Sequence, residues 1–115
     1  GTWTPTLNNT TNVAASTAYA CNYLRVNDRV VCSGVVNVDP TAAAVCVLGI
    51  SLPVASALTT AYQLRGTAIA PSDAGYQAVG GVITADAAND RATLSWYALD
   101  GTAKDMTFTF MYDIL

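Results

Sequence analysis

The stretch MTFTFMYDIL, residues 106–115, alternates apolar and polar side chains with a period of two. Successive side chains of a β-strand point to opposite faces of a sheet, so this pattern predicts a strand with one buried face. That face would hold Met106, Phe108, Phe110, Tyr112 and Ile114. The stretch RATLSWYAL, residues 91–99, has the same period and predicts a second strand. Its apolar face would hold Ala92, Leu94, Trp96 and Ala98.

These two strands are expected to pair as a hairpin. The requirement that their apolar faces lie on the same side of the sheet decides between two possible turns. The dipeptide Asp100-Gly101 favours a two-residue turn, but that turn would set Leu94 against Thr107 and bury polar side chains. A three-residue loop with the glycine at a bulge sets Leu94 against Phe108 instead. The register of this bulged loop, Asp100-Gly101-Thr102, also pairs Trp96 with Met106, Thr93 with Thr109 and Ser95 with Thr107.

A first hairpin is predicted by residues 19–26 (YACNYLRV) and 30–39 (VVCSGVVNVD), joined by Asn27-Asp28. Asparagine and aspartate tolerate the positive φ of a tight turn. The facing pairs would be Tyr23 with Cys32, Tyr19 with Val36 and Cys21 with Gly34. The core face of this ribbon would hold Tyr19, Cys21, Tyr23, Cys32, Val36 and Val38. Its other face is also apolar and therefore needs a partner, with Ala20, Leu24, Val31 and Val35.

Other short apolar segments end at turn signals and predict further strands, at residues 47–52, 63–70 and 76–85. Residues 41–45 and 53–61 could each hold one helical turn. The composition of residues 8–18 predicts a segment that makes an excursion from the sheet.

The opening GTWTPTL, residues 1–7, predicts the first strand of a module rather than a clipped tail, with Trp3 and Leu7 as its anchors. Pro5 has no N–H to give to a neighbouring strand. This confines the stretch to a sheet edge or to a neighbouring subunit.

Length and composition fit one small domain, because a chain of 115 residues can bury a core without metals or disulfides. We expect residues 1–115 to form one all-β domain, a single antiparallel β-sandwich of jelly-roll type with about seven or eight strands. Only 11% of the residues are charged against 52% hydrophobic, so part of the surface is expected to be covered by other subunits.

Charge and hydropathy argue against two classes of partner. The net charge is −3 and the five cationic residues are scattered, which gives no basic surface for direct nucleic-acid binding. The longest apolar run, residues 42–50, is half the length that a membrane-spanning helix needs. We therefore expect no membrane insertion and no uncleaved signal peptide.

The residue types argue against an enzyme. Histidine and glutamate are absent, which leaves the aspartates alone for acid–base chemistry. Asp86 and Asp90, in the sequence DAAND, are interpreted as turn residues, because the alternating ligand spacing of a calcium loop is missing. Lys104, near Asp100 and Asp105, is interpreted as a salt-bridge partner and not as the base of a Ser-Lys pair. We expect no catalytic residues, no metal site and no cofactor.

Glycines and cysteines give weaker signals. Gly80 and Gly81 lie inside a strand pattern without a following lysine, and are interpreted as a bulge or a site of close packing rather than a phosphate loop. The three cysteines have no CxxC spacing and are interpreted as small buried hydrophobes without a bridge, the alternative being one disulfide and one free thiol. They are Cys21, Cys32 and Cys46.

Four aromatic residues lie off the predicted core faces: Trp3, Tyr62, Tyr76 and Tyr97. They are assigned to the core or to subunit contacts, with glycan stacking as the alternative.

Several phrases of the chain occur together in one kind of protein. They are GTWTPTL at 1–7, RVNDRVVCSGVVNVDP at 25–40, LGISLPVAS at 48–56, DAANDRATLSW at 86–96 and MTFTFMYDI at 106–114. On these phrases the chain resembles the small β-domains of tailed-bacteriophage virion proteins. Such domains form the C-terminal modules of tail-fibre or head-fibre chains, or separate capsid decoration proteins. The similarity extends over nearly the whole chain.

The resemblance implies a virion component that is assembled in the host cytoplasm and works as a homotrimer with other virion proteins, without a cofactor. We expect a structural protein, a fibre or capsid-decorating module that acts through oligomeric assembly and surface display. The alternative is a receptor- or carbohydrate-binding module, either a fibre tip that meets a host-surface glycan or a secreted lectin-like domain. The resemblance assigns no role to any single position, so the ligand-binding residues stay unknown.

Overall fold

The structure is a computed structural model of the chain, and it describes residues 1–70 and 79–115. Within them lie ten β-strands and two 3-10 helices, Ala61–Gln63 and Ala87–Asn89. The strands are β1 Thr2–Trp3, β2 Leu7–Thr11, β3 Val13–Ala18, β4 Cys21–Val26, β5 Arg29–Pro40, β6 Val45–Ile50, β7 Leu64–Ala70, β8 Val79–Asp86, β9 Arg91–Tyr97 and β10 Lys104–Asp113. All of the described pairings are antiparallel, so the predicted all-β class is confirmed.

The strands join into one curled sheet. Its order is β1-β4-β5-β10-β7-β8-β9-β6-β2, and β3 pairs with β5 beside that path. A single residue, Asn12, separates β2 from β3, yet β2 pairs with β6 at one end of the order and β3 pairs with β5 near the other. The sheet must therefore curl until β5 and β6 lie near each other. A jelly roll of two separate sheets is not confirmed.

Asn12 forms the corner at which the chain passes from β2 to β3. Its φ of 54° is left-handed, a conformation that asparagine adopts more readily than most residues. Its side chain donates to the carbonyl of Ala42 at 2.8 Å and accepts from the amide of Ala42 at 3.0 Å. The bend between β5 and β6 is thereby held in an irregular, non-helical conformation. The helical turn expected at residues 41–45 is wrong for this reason.

The excursion expected at residues 8–18 is also wrong, because these residues form most of β2 and all of β3. Most of their side chains are exposed, so the segment lacks the apolar period that marks a strand with a buried face. Of the helical turn expected at residues 53–61, the structure has only the start of a 3-10 helix at Ala61.

The inner face of the curled sheet holds the core. The strand β10 contributes four buried apolar side chains, Met106, Phe108, Phe110 and Tyr112, in addition to the buried Lys104. The rings of Phe108 and Phe110 stack with their centroids 5.7 Å apart. Trp3 meets both rings edge-on and donates its indole N–H to the carbonyl of Ser51 at 3.1 Å. The predicted first strand at a sheet edge, anchored by Trp3, is confirmed only in part, because β1 spans just Thr2–Trp3 and the other predicted anchor, Leu7, begins β2 at the opposite end of the strand order.

The first predicted hairpin is confirmed in its turn and in part of its register. Two residues join β4 to β5, and Tyr23 lies opposite Cys32. The expected pair of Tyr19 and Val36 is wrong, because the chain bends between β3 and β4 and Ala18 lies opposite Val36. Tyr19 is consequently exposed, whereas the rest of the predicted core face is buried or, at Tyr23, partly buried.

The predicted pairing of the last two strands is wrong, although both of their faces are confirmed. β9 pairs with β6 and β8, whereas β10 pairs with β5 and β7. Leu94 lies opposite Leu48 and Ile83, and Phe108 lies opposite Gly34 and Ala68. Alternation decides which side chains enter the core, but it does not choose the neighbouring strand, because β5, β7, β8, β9 and β10 all share this period.

The three remaining predicted strands are found with shifted ends. Residues 47–52 correspond to β6 Val45–Ile50, and residues 63–70 correspond to β7 Leu64–Ala70. Residues 79–85 of the third prediction lie in β8 Val79–Asp86, and residues 76–78 lie outside the described residues.

Candidate functional site

The outer face of the central strands is uncharged in its middle, whereas charged side chains such as Arg65, Asp105 and Asp113 lie toward its two ends. It consists of the side chains that alternate with the buried ones on β5, β10, β7, β8 and β9. One row across these strands is Ser33, Thr109, Thr67, Val82 and Ser95. The next row is Val35, Thr107, Ile69 and Gly80. These side chains are short or branched at Cβ, so few rotamers are lost when another surface covers them.

Gly80 forms the floor of a depression in this face. Apart from its two chain neighbours, no atom of residues 1–70 and 79–115 lies within 4 Å of the position that a Cβ would take there. Ile69 lies opposite Gly80, and Val82 follows two residues later on β8. Tyr97 follows Trp96, which lies opposite Gly81 on β9. Ile69, Val82 and Tyr97 have 52%, 59% and 58% of their surfaces exposed. The depression has a volume of about 580 Å³. We call Ile69, Gly80, Val82 and Tyr97 the glycine patch.

A second apolar patch lies on the outer side of the first hairpin. Leu24 on β4 is opposite Val31 on β5, and 63% of Leu24 is exposed. Val26, two residues further along β4, is also exposed. The second apolar face predicted for this hairpin does point outward. We call Leu24, Val26 and Val31 the hairpin patch; four strand spacings, about 19 Å, separate β4 from β8 along the sheet.

Sequence reasoning found the hairpin patch but missed the glycine patch. The signal at Ile69 and Val82 was present, since both are apolar residues at positions that alternate with buried ones. Their proximity to Tyr97 depends on the pairing of β7, β8 and β9, which no local pattern indicates.

Gly80 and Gly81 differ in role. Pairing of β8 with β7 continues through both without a register shift, so the structure has no bulge there. A Cβ on Gly81 would stand 3.0 Å from the carbonyl oxygen of Ser95, so close packing is the correct interpretation for Gly81.

Asp86 and Asp90 form a turn, as predicted. The carboxylate of Asp86 accepts from the side chain of Asn89 at 2.9 Å and from Arg91 at 2.8 Å, and these hydrogen bonds lower the pKa of Asp86. Asp90 has a left-handed φ of 47° and accepts from the amide of Leu58 at 3.0 Å. Both carboxylates therefore stabilise loops by accepting hydrogen bonds.

Lys104 is an ion-pair partner, also as predicted. Its buried ammonium donates to Asp100 at 2.8 Å and to the carbonyl of Thr102 at 3.1 Å. The hydrogen bond from Lys104 holds the pKa of Asp100 below its ordinary value. Asp105 lies on the outer face and accepts from the side-chain amide of Asn37 at 2.9 Å.

The cysteines are buried and without a bridge, as the sequence predicts. Burial raises the pKa of Cys32 to about 12 and also raises the pKa values of Cys21 and Cys46. A thiol that keeps its proton at neutral pH is a poor nucleophile. Gly34 makes room for Cys21, because a Cβ there would collide with the Cys21 sulfur.

The four aromatic residues that lie off the predicted core faces take different positions. Trp3 packs on the core, and Tyr97 belongs to the glycine patch. Tyr62 stands on the 3-10 helix Ala61–Gln63 with 78% of its surface exposed. Tyr76 lies outside the described residues.

Within residues 1–70 and 79–115, no helix has the length and apolar character needed to cross a membrane. The same residues contain no group of three or more cysteines and aspartates placed to hold a metal ion. Comparison with protein-family models, with curated proteins and with solved structures gave no match.

Proposed function

We propose that the protein is a bacteriophage virion structural protein, a fibre or capsid-decorating module that works by assembling with copies of itself. The observation behind this proposal is the glycine patch, where exposed apolar side chains lie at a depression in the uncharged middle of the outer face. Such patches on soluble proteins mark surfaces that bind a partner. The phrases shared with phage β-domains support the virion role, and the low charge of the chain supports extensive subunit contact.

The hairpin patch is the proposed occupant of the depression in the next copy. Leu24 protrudes from β4, whereas Gly80 leaves β8 without a side chain. About 19 Å of sheet lies between these strands, so Leu24 cannot fill the depression of its own chain. A contact between two different patches is head-to-tail, and repeated contacts of this kind close into a ring or continue into a filament. The homotrimer that the resemblance implies is the smallest such ring beyond a dimer.

The outer face is large enough for this role. Five strands about 4.8 Å apart, each contributing about six residues, span roughly 24 Å by 20 Å, or about 480 Å². A stable interface buries about 800 Å² on each partner. The central face therefore supplies more than half of the area that one partner buries in a stable interface. Side chains that protrude from the sheet add to this area.

Sedimentation equilibrium at micromolar concentration tests the proposal. The wild-type protein is expected to sediment as a trimer of its 11.9 kDa chain. Val82→Asp and Leu24→Asp would each place a carboxylate in an apolar contact, which costs several kcal/mol and raises the dissociation constant at least about a hundredfold. Asn8→Asp, on the edge strand β2, is the control for added charge and should leave the trimer intact. A wild-type protein that stays monomeric would overturn the proposal.

A further inference from the structure

We propose that the groove between Arg29, Tyr62 and Arg65 binds a saccharide residue that carries one carboxylate, such as a uronic or sialic acid. The groove lies at the end of the outer face where β5, β7 and β10 meet the 3-10 helix Ala61–Gln63. Its volume is about 240 Å³. Sites for drug-sized ligands usually measure about 300–1,000 Å³, so this groove suits a single sugar ring.

Tyr62 offers an exposed aromatic face for that ring. The side-chain oxygen of Gln63 accepts from the amides of Thr59 at 2.6 Å and Thr60 at 3.0 Å, which holds the turn beneath Tyr62. Arg65 donates from Nε to the carbonyl of Tyr62 at 3.1 Å. The backbone beneath Tyr62 is thus ordered before any ligand binds, so binding costs no conformational entropy of the turn itself. An exposed tyrosine ring presents an apolar face and a polar edge, which suits the C–H face and hydroxyls of a sugar.

Arg65 supplies the charge that selects a carboxylate. Arg29, Arg91 and Lys104 each pair with an aspartate. In the described part of the chain Arg65 has no carboxylate partner, and its recorded hydrogen bond to Tyr62 uses only Nε. The recorded hydrogen bond leaves the two terminal nitrogens of Arg65 for a ligand carboxylate. A guanidinium binds a carboxylate through two parallel hydrogen bonds.

Asp113 sets the limit on ligand charge. It pairs with Arg29 through both carboxylate oxygens, and this hydrogen bonding lowers the pKa of Asp113, so the carboxylate is ionised at neutral pH. With Arg29 neutralised, the groove carries one net positive charge. A ligand with one negative charge and several hydroxyls matches it, whereas a phosphate dianion would meet repulsion from Asp113.

Titrations followed by ¹H–¹⁵N correlation spectra test the site. Glucuronate is expected to shift the amide resonances of Tyr62, Gln63 and Arg65, while glucose and inorganic phosphate at the same concentration shift them little. Arg65→Gln should weaken glucuronate binding at least about tenfold, because a charge-assisted bidentate contact is lost. Tyr62→Ala should weaken it as well.

The matched control is Arg25→Gln. Arg25 also donates from Nε to a backbone carbonyl, that of Asn27 at 2.8 Å, and has no aspartate partner among the described residues, but it does not line the groove. Its replacement should leave binding unchanged, and the dispersion of each spectrum reports whether the variant is folded. Equal shifts from glucose or phosphate, unchanged binding by folded Arg65→Gln, or no shifts with any probe would each overturn the proposal. None of these outcomes depends on the oligomeric state.

Discussion

Replacing Tyr112 by phenylalanine is expected to destabilise the fold by about 2 kcal/mol at neutral pH. The Tyr112 hydroxyl donates to the carbonyl of Val54 at 2.6 Å and accepts from the amide of Val54 at 3.2 Å. The substitution keeps the ring, which stacks on Phe110, but it takes a partner away from two backbone groups. Each buried polar group left without a partner costs about 1–3 kcal/mol, and the partial exposure of Val54 lets water recover some of that cost.

The stability difference between wild type and variant should shrink in alkali. Burial raises the pKa of Tyr112 to about 12, from an ordinary value of 10.0. The unfolded chain therefore loses this proton first, and the stability that the buried neutral hydroxyl contributes below pH 10 is lost as the pH rises toward 12. At pH 11 this titration lowers the stability of the wild type by about 1 kcal/mol, whereas the phenylalanine variant is unaffected by it.

Urea unfolding followed by tryptophan fluorescence, at pH 7 and pH 11 and at one fixed protein concentration, measures both effects. Tyr19→Phe is the control, because Tyr19 is exposed and its hydroxyl makes no hydrogen bond within the described residues. The control should stay within about 0.5 kcal/mol of wild type. Equal stabilities of Tyr112→Phe and wild type at pH 7, or a difference that does not change between the two pH values, would refute the reasoning.

Three further outcomes are expected. At pH 8 the thiols of Cys21, Cys32 and Cys46 should react with an aromatic disulfide reagent at least about a hundredfold more slowly in the folded than in the urea-unfolded protein, because all three are buried; rapid labelling of the folded protein would contradict this. Because hydrogen bonds from Asn89 and Arg91 lower the pKa of Asp86, the Asp86 carboxylate stabilises the fold above its ordinary pKa of 3.8 and loses that effect as the pH falls through the lowered value. Asp86→Asn should therefore cost up to about 1 kcal/mol at pH 6 and progressively less as the pH falls below 3.8, as measured by urea unfolding over that pH range; a constant cost would argue against the assignment. Gly66→Ala should destabilise the fold by about 3 kcal/mol, because its Cβ would collide with the Thr109 carbonyl, whereas Gly80→Ala has open space and should cost less than about 1 kcal/mol in the same assay; equal costs would contradict the packing described for the two glycines.

The faces of β9 and β10 can be predicted from the sequence, because burial alternates along each strand. Their neighbours cannot, because β7 and β8 lie between them and every candidate neighbour has the same period of two. The corner at Asn12 cannot be predicted from the sequence, for a related reason. An asparagine within a polar run is equally consistent with a turn, a loop or a bent strand, and only its bonds to Ala42 distinguish these.

The two apolar patches and the groove also differ in how far the sequence predicts them. The hairpin patch follows from two adjacent strands joined by a two-residue turn, so local pattern and turn chemistry are sufficient to predict it. The glycine patch joins residues of three successive strands, β7, β8 and β9. The groove beside Tyr62 combines residues of β5, β7, β10 and a 3-10 helix, and β5 and β10 are distant in sequence from the other two. Their assembly depends on strand order, which is a property of the whole sheet.

Cross-linking tests the proposed head-to-tail contact most directly. Leu24→Cys and Val82→Cys chains, produced together and treated with a short bis-maleimide, are expected to form covalent dimers, while each variant produced alone forms none. A chain that carries both substitutions should give linked species that end at three chains. The native thiols are buried and should not contribute. Absence of linked species from the mixed chains, or equal linking within each single variant, would contradict the account.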